Sequence, residues 1–158
     1  MLFTRFTEAQ YPPSVKVYSG LQYSIFNNHC RQIEDYEYDK TLKEKSLTIA
    51  VSMGGVDAPN KTLKILEALA QLEIDLTIWV LLGEGYSHSY QDLVDTIKKD
   101  SNHEIVLAKS NRSMWKILSN CSLAIFAGGL TTFVAIYAGL PTINFFENTI
   151  AQRIISKE

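Results

Sequence analysis

The densest group of residues able to do chemistry is Ala127-Gly128-Gly129-Leu130-Thr131-Thr132. Two adjacent glycines let a backbone come close to a ligand, and free N–H groups opening a helix favour a phosphate. Thr131-Thr132 is expected to supply the helix N-cap together with further donors. The same spacing also serves an ordinary strand-to-helix turn, so its weight depends on its surroundings. Other glycine turns occur at Gly54-Gly55 and Gly83-Glu84-Gly85, and the carboxylates at such turns are Asp57, Glu84 and Glu147. None of the three histidines, His29, His88 and His103, sits in a glycine-rich loop. His29-Cys30 has no second Cys/His pair at ligand spacing, so no metal site is expected and the pair reads as packed surface.

These turns need a scaffold that brings them to one place. Leu47-Thr48-Ile49-Ala50-Val51-Ser52 is a short run with β-branched residues, suited to a strand covered on both faces. Residues 75–82, 104–108, 122–127 and 141–146 repeat the pattern. Between them, helices are expected from Pro59-Asn60-Lys61-Thr62 onward, with Leu63, Leu66, Leu69 and Ala70 at helical spacing, and over 89–99 and 113–118. A fourth follows Gly129, apolar nearly all round and ended by Gly139, and residues 148–157 form a terminal helix. Alternation of strand and helix with short loops predicts an α/β fold: a five-stranded parallel, Rossmann-like sheet with helices on both faces. Ligands of such folds bind beyond the C-terminal ends of the strands. Residues 1–45 read as a connecting arm that partly wraps the domain 46–158, with a short strand at 15–18, a helical turn at 21–26 and a solvated loop at 34–40.

The chain has 158 residues, enough for one domain with a substantial core. Fifteen basic and seventeen acidic residues give a net charge of −2 without a basic block, which argues against a nucleic-acid surface. Cys30 and Cys121 are expected to be free thiols. With no N-terminal signal pattern and no apolar run of about 20 residues, a cytoplasmic setting without a transmembrane segment is the expectation.

Several pieces fall together in the order of one family. Ser52-Met53-Gly54-Gly55-Val56-Asp57 with Asn60 and Thr62, Met114 ahead of the fourth strand, Ala127-Gly128-Gly129-Leu130-Thr131, Gly139-Leu140-Pro141 and Glu147-Asn148 resemble the C-terminal, nucleotide-sugar-binding half of GT-B glycosyltransferases. Within it they are similar to the UDP-sugar hydrolases of pseudaminic acid synthesis and to the lipid II-forming N-acetylglucosaminyltransferases. Tyr18-Ser19-Gly20-Leu21-Gln22-Tyr23 looks like the family's interdomain segment. The resemblance implies that Gly128, Gly129, Leu130 and Thr131 hold a UDP diphosphate, that the loop before Met114 faces uracil, that Gly54, Gly55 and Asp57 line the cleft near the sugar, and that Asn148 touches sugar or diphosphate. No cofactor is implied. Each role has a plainer counterpart: Met114 as core, Asp57 as a turn or cap residue, Asn148 as an N-cap.

Three departures bear on activity. The family's ribose-binding Glu, three residues after the threonine, is here Val134, and its Asn-Gln after the fifth strand is Asn148-Thr149. The family's N-terminal half, expected to carry the catalytic His, is not in this sequence. The expected function is therefore a UDP-sugar-binding domain of a glycosyltransferase- or hydrolase-like protein of surface glycan biosynthesis. It would lack its catalytic half and be inactive alone, with a missing N-terminal domain or second chain as partner. The alternative is a degenerate, non-catalytic binding or protein-interaction domain. A phospho-accepting signalling domain would need more acids at the first strand's end than Asp57 alone.

Overall fold

A computed structural model describes residues 12–16, 18, 23–44, 46–99, 102–109 and 114–146. Five strands, β1 (Leu47–Ser52), β2 (Leu76–Leu82), β3 (Glu104–Lys109), β4 (Leu123–Phe126) and β5 (Thr142–Asn144), form one parallel sheet in the order β3-β2-β1-β4-β5. The helices are α1 (Asp35–Leu42), α2 (Lys61–Leu69), α3 (Tyr90–Lys99), α4 (Met114–Leu118) and α5 (Leu130–Ala138). The chain runs outward from β1 through β2 to β3, then returns to the other side of β1 for β4 and β5. The C-terminal end of β1, between β2 and β4, is therefore the point where the strand order reverses, and a crevice opens there.

Period-two alternation divides the core. Ile49 and Val51 of β1, with Leu76, Ile78, Val80 and Leu82 of β2, pack with Ile65, Leu66 and Leu69 of α2 and Leu93 of α3. Ala50, Leu81, Ala124 and Phe126 face the other way, against Leu118 of α4, Cys121 and Ala135 of α5. Helices thus cover both faces, which is why the strands read as continuous apolar runs. Cys121 and Cys30 are both free. Burial pushes the Cys121 thiol up to about 12, and its Sγ–H donates to the Ile117 carbonyl at 3.2 Å.

The fourth apolar helix ends where expected: Gly139 has φ +81°, and Leu140 N–H returns to Ala135 O at 2.9 Å. Its outer side is partly covered from the arm, where the Phe26 ring stacks on Tyr137 at 4.7 Å and Ile33 N–H donates to Ala138 O at 2.9 Å. Leu130, Ile136 and Tyr137 stay exposed.

The arm differs from its sequence reading in two places. Residues 34–40 are no loop: α1 begins there, because the Glu37 carboxylate accepts the Glu34 N–H at 3.1 Å and a two-pronged ion pair from Arg31 at 2.6 and 2.7 Å. The Arg31 contact, then the Glu34 N–H, hold the Glu37 carboxyl down to about 2. The pair's support is complete above the ordinary carboxylate range and is lost as pH falls through about 2. No residue of α1 is fully buried, so it left no apolar period to read. The strand expected at 15–18 is also absent from its described residues: Val15 N–H closes a turn onto Pro12 O at 2.9 Å. The helical turn expected at 21–26 starts outside the described residues, as does the terminal helix at 148–157.

α1 docks through Tyr38, whose hydroxyl donates to Ser122 O at 3.0 Å while the ring packs with Ile33 against the α4–α5 side of the core. Tyr38→Phe is expected to lower stability by about 0.5–1.5 kcal/mol, and Tyr38→Ala by more, in urea unfolding. Wild-type midpoints for both would mean that α1 contributes nothing to the fold.

Candidate ligand cleft

β1 delivers the first wall of the crevice. After Ser52 the chain turns through Gly54, at φ +85°, and Gly55, then through Asp57 and Asn60, both left-handed at φ 49° and 51°. Such angles are uncommon outside glycine, with Asn and Asp the usual exceptions. They are held by the Asp57 carboxylate, whose oxygens accept the first N–H groups of α2, Lys61 at 2.8 Å and Thr62 at 2.9 Å. His88 bonds the Asp57 carbonyl at 2.7 Å, and the Tyr86 hydroxyl donates to Asn60 Oδ1 at 3.2 Å. Asp57 is only 4% exposed. It caps α2 beneath the cleft and is not among the residues lining it, so the turn-or-cap reading describes its geometry.

β2 delivers the second wall, locked to the first backbone to backbone. A Cβ on Gly83 would lie 2.3 Å from Gly55 O, and Gly85 N–H donates to that same oxygen at 2.9 Å. The third wall is the start of α5. Gly128 bends at φ +77° over the Phe146 ring, and a Cβ there would meet the ring at 2.4 Å. Here the sequence expectation of a threonine cap is corrected: the N-cap is Gly129, with no side-chain cap bond. Thr132, fully buried, instead donates its hydroxyl to Asn144 Oδ1 at 2.9 Å, tying α5 to β5. The N–H groups of Leu130 and Thr131 have no acceptor within the helix. Lys61 Nζ donates to Phe145 O at 3.3 Å, fastening the start of α2 to the segment after β5.

The resulting cleft, of about 420 Å³, is lined by Ser52, Gly54, Gly55, Val56, Gly83, Glu84, Gly85 and Thr131. Of the residues expected at a site, it brings together Gly54, Gly55 and Thr131. Gly129 and Leu130 are exposed beside it at the head of α5. Met114 and Val134, both half-buried, pack against the core cluster on the α4–α5 side. Asn148 lies outside the described residues. Glu84 and its flanking glycines were visible as a turn but were not read as lining; their signal was that they repeat, at the end of β2, the glycine turn that ends β1. Among the described residues no three His, Cys, Asp or Glu side chains could hold a metal, and no helix is long and apolar enough to cross a membrane.

Glycine is required at some of these positions and not at others. Gly83 and Gly128 have no room for a side chain, and Gly54 has a positive φ. Gly55 and Gly129 have neither constraint: among the described residues no non-neighbouring atom lies within 4 Å of a Cβ at either, and their φ falls outside the left-handed range. The fold does not demand glycine there, whereas a ligand lying against the backbone would.

This is a doubly wound α/β domain with its cleft at the reversal of strand order, and it has the GT-B C-terminal-like fold. MurG of Acinetobacter baumannii is a solved structure with that similarity, at TM-score 0.60 and 21% identity over 93% of this chain and 40% of MurG. An uncharacterized protein of Methanocaldococcus jannaschii is 26% identical over 133 residues, which make up 83% of this chain and 27% of that relative. The chain thus spans well under half the length of either. No family model matches it.

Gly83→Ala should cost about 1–3 kcal/mol by forcing the two turns apart, whereas Gly55→Ala and Gly129→Ala should keep the wild-type melting temperature. Equal destabilisation by all three in calorimetric scans would contradict this division. Asp57→Ala should cost about 1–2 kcal/mol through loss of the α2 cap.

Proposed function

We propose that this chain binds a nucleoside diphosphate sugar, UDP-linked by the family resemblance, with the diphosphate at the head of α5 and the sugar reaching towards the Gly54-Gly55 and Gly83-Glu84-Gly85 turns. The observation that carries the reading is Gly129, a helix N-cap without a side-chain cap, in open space, at a position where the fold does not need glycine. Backbone N–H groups there can donate to phosphate oxygens, and the helix dipole favours the negative charge. Gly128, Leu130 and Thr131 belong to the same phosphate-binding head. Gly54 and Gly55 face the sugar, and Asp57 serves them indirectly by fixing their turn. The loop before Met114, and Asn148, both outside the described residues, keep the uracil contact and the sugar or diphosphate contact that the resemblance implies.

In this reading the domain is the binding half of a glycosyltransferase- or UDP-sugar-hydrolase-like protein of surface glycan biosynthesis. The acid or base comes from an N-terminal domain or a second chain. Among the described residues no histidine lines the cleft, and the one carboxylate is Glu84; general acid–base chemistry needs a group within reach of the transferred proton. Val134 favours a second reading, a non-catalytic binding or interaction domain, because it packs with Met114 into the apolar cluster where the family offers ribose an acceptor.

Calorimetric titration should show saturable UDP binding that Gly129→Val abolishes with the melting temperature kept; unaltered binding by that variant would overturn the reading. The chain alone should release no UDP from UDP-sugars above the buffer rate, and turnover lost in Glu84→Gln would place the chemistry in this chain instead. Val134→Glu should lower the unliganded melting temperature, since its carboxylate enters an apolar cluster. The same variant should tighten UDP binding through charge-assisted bonds to ribose, each worth about 1.5–3 kcal/mol gross. A folded variant with no gain would place the ribose elsewhere and favour the second reading.

A further inference from the structure

The cleft has a charge polarity that the glycine motifs do not describe. At one wall lies the head of α5, whose exposed N–H groups make it positive in character. At another lies Glu84, the sole ionisable residue among the described residues of the lining. It stands between Gly83 and Gly85 on the best-fixed backbone of the cleft, since Gly83 is packed against Gly54 O and Gly55 O and Gly85 N–H is bonded to Gly55 O at 2.9 Å. Its carboxylate has no hydrogen bond or ion pair among the described residues: the one ion pair is Arg31–Glu37, on the arm. A carboxylate presented on a rigid turn, without a partner, beside neutral walls of Ser52, Gly54, Gly55, Val56 and Thr131 is an acceptor for donors carried by a ligand.

Resting on the proposed binding of a nucleoside diphosphate sugar, we propose that Glu84 biases the charge class of the sugar: the cleft favours sugars that present hydroxyl or amino donors over sugars that carry a carboxylate. The diphosphate occupies the positive wall, so the group attached to it extends towards the opposite one. A hydroxyl there donates to Glu84, and an ammonium pairs with it. A second carboxylate meets like charge, with no cation among the described residues of the lining to offset it. Glu84 is exposed, so the discrimination is moderate, on the order of the fivefold that a solvent-accessible charge pair supplies. It shrinks as salt is raised.

The test is calorimetric competition by UDP, UDP-glucuronate, UDP-glucose and UDP-glucosamine, a series that varies the charge on a hexose. The wild-type chain should bind UDP-glucosamine tighter than UDP-glucose, and UDP-glucose about fivefold tighter than UDP-glucuronate, with the spread compressed at 0.5 M salt. With each affinity taken relative to that of UDP for the same protein, Glu84→Gln should collapse the series and Glu84→Lys should reverse it. UDP binding with no charge order in the wild type, or an order unmoved by Glu84→Lys, would overturn the assignment and leave the nucleotide reading standing. Absence of UDP binding to the folded wild-type chain would overturn both.

Discussion

The crossing of two turns, backbone on backbone, is the contact on which the cleft depends. The turn after β1 lies so close to the turn after β2 that Gly83 has no room for even a methyl group beside Gly55 O, and Gly85 N–H bonds that same oxygen. Such an approach requires the strands that deliver the turns to be neighbours in register. The parallel pairing of β1 with β2, from Leu47 opposite Leu76 to Val51 opposite Val80, provides this. The Asp57 carboxylate then fixes the far side of the first turn to α2, and His88 and Tyr86 fasten it from the second. Floor and two walls are therefore one hydrogen-bonded unit. The third wall, α5, is anchored separately, by Thr132 to Asn144.

This construction leaves the cleft little freedom to reshape. Rigid backbone presents Gly54, Gly55 and Glu84, and a helix head presents the N–H groups of Leu130 and Thr131. A ligand with an anionic centre and a donor-rich end matches that division of charge. The same geometry explains why the lining holds so few side chains able to do acid–base work: half of its described residues are glycine, and the buried carboxylate nearby, Asp57, is already committed to capping a helix.

Much of the fold was legible because the sheet is covered on both faces. Leu47–Ser52 reads as a strand in the sequence and is one, and the remaining strands agree to within a few residues, since each is an apolar run between turns. The site was legible as glycine turns but not as a surface. Asp57 looks like a ligand in sequence because a capping carboxylate and a ligating one are the same residue type; only burial and partners separate them. Thr132 lost its expected role to Gly129, which caps the helix through backbone geometry alone. α1 was missed for the opposite reason. It is held by local polar contacts of Glu34, Glu37 and Arg31 and buries no residue completely, so hydrophobic period carries no trace of it. Glu84 was in view as a turn residue at the sheet's ligand-binding edge, but the strand order, which sets the β1 and β2 turns side by side, is not written in one dimension.

The central claim is that a nucleotide-sugar lies between the head of α5 and the paired glycine turns, and amide chemical shifts reach it most directly. Titration of the ¹⁵N-labelled chain with a UDP-sugar should move, saturably and with one affinity, the amides of Gly54, Gly55, Gly85, Gly129, Leu130 and Thr131. Those of Ile136 and Tyr137, on the exposed side of α5, should stay in place. Shifts confined to that exposed side, or a spectrum unchanged at saturating ligand, would contradict the account.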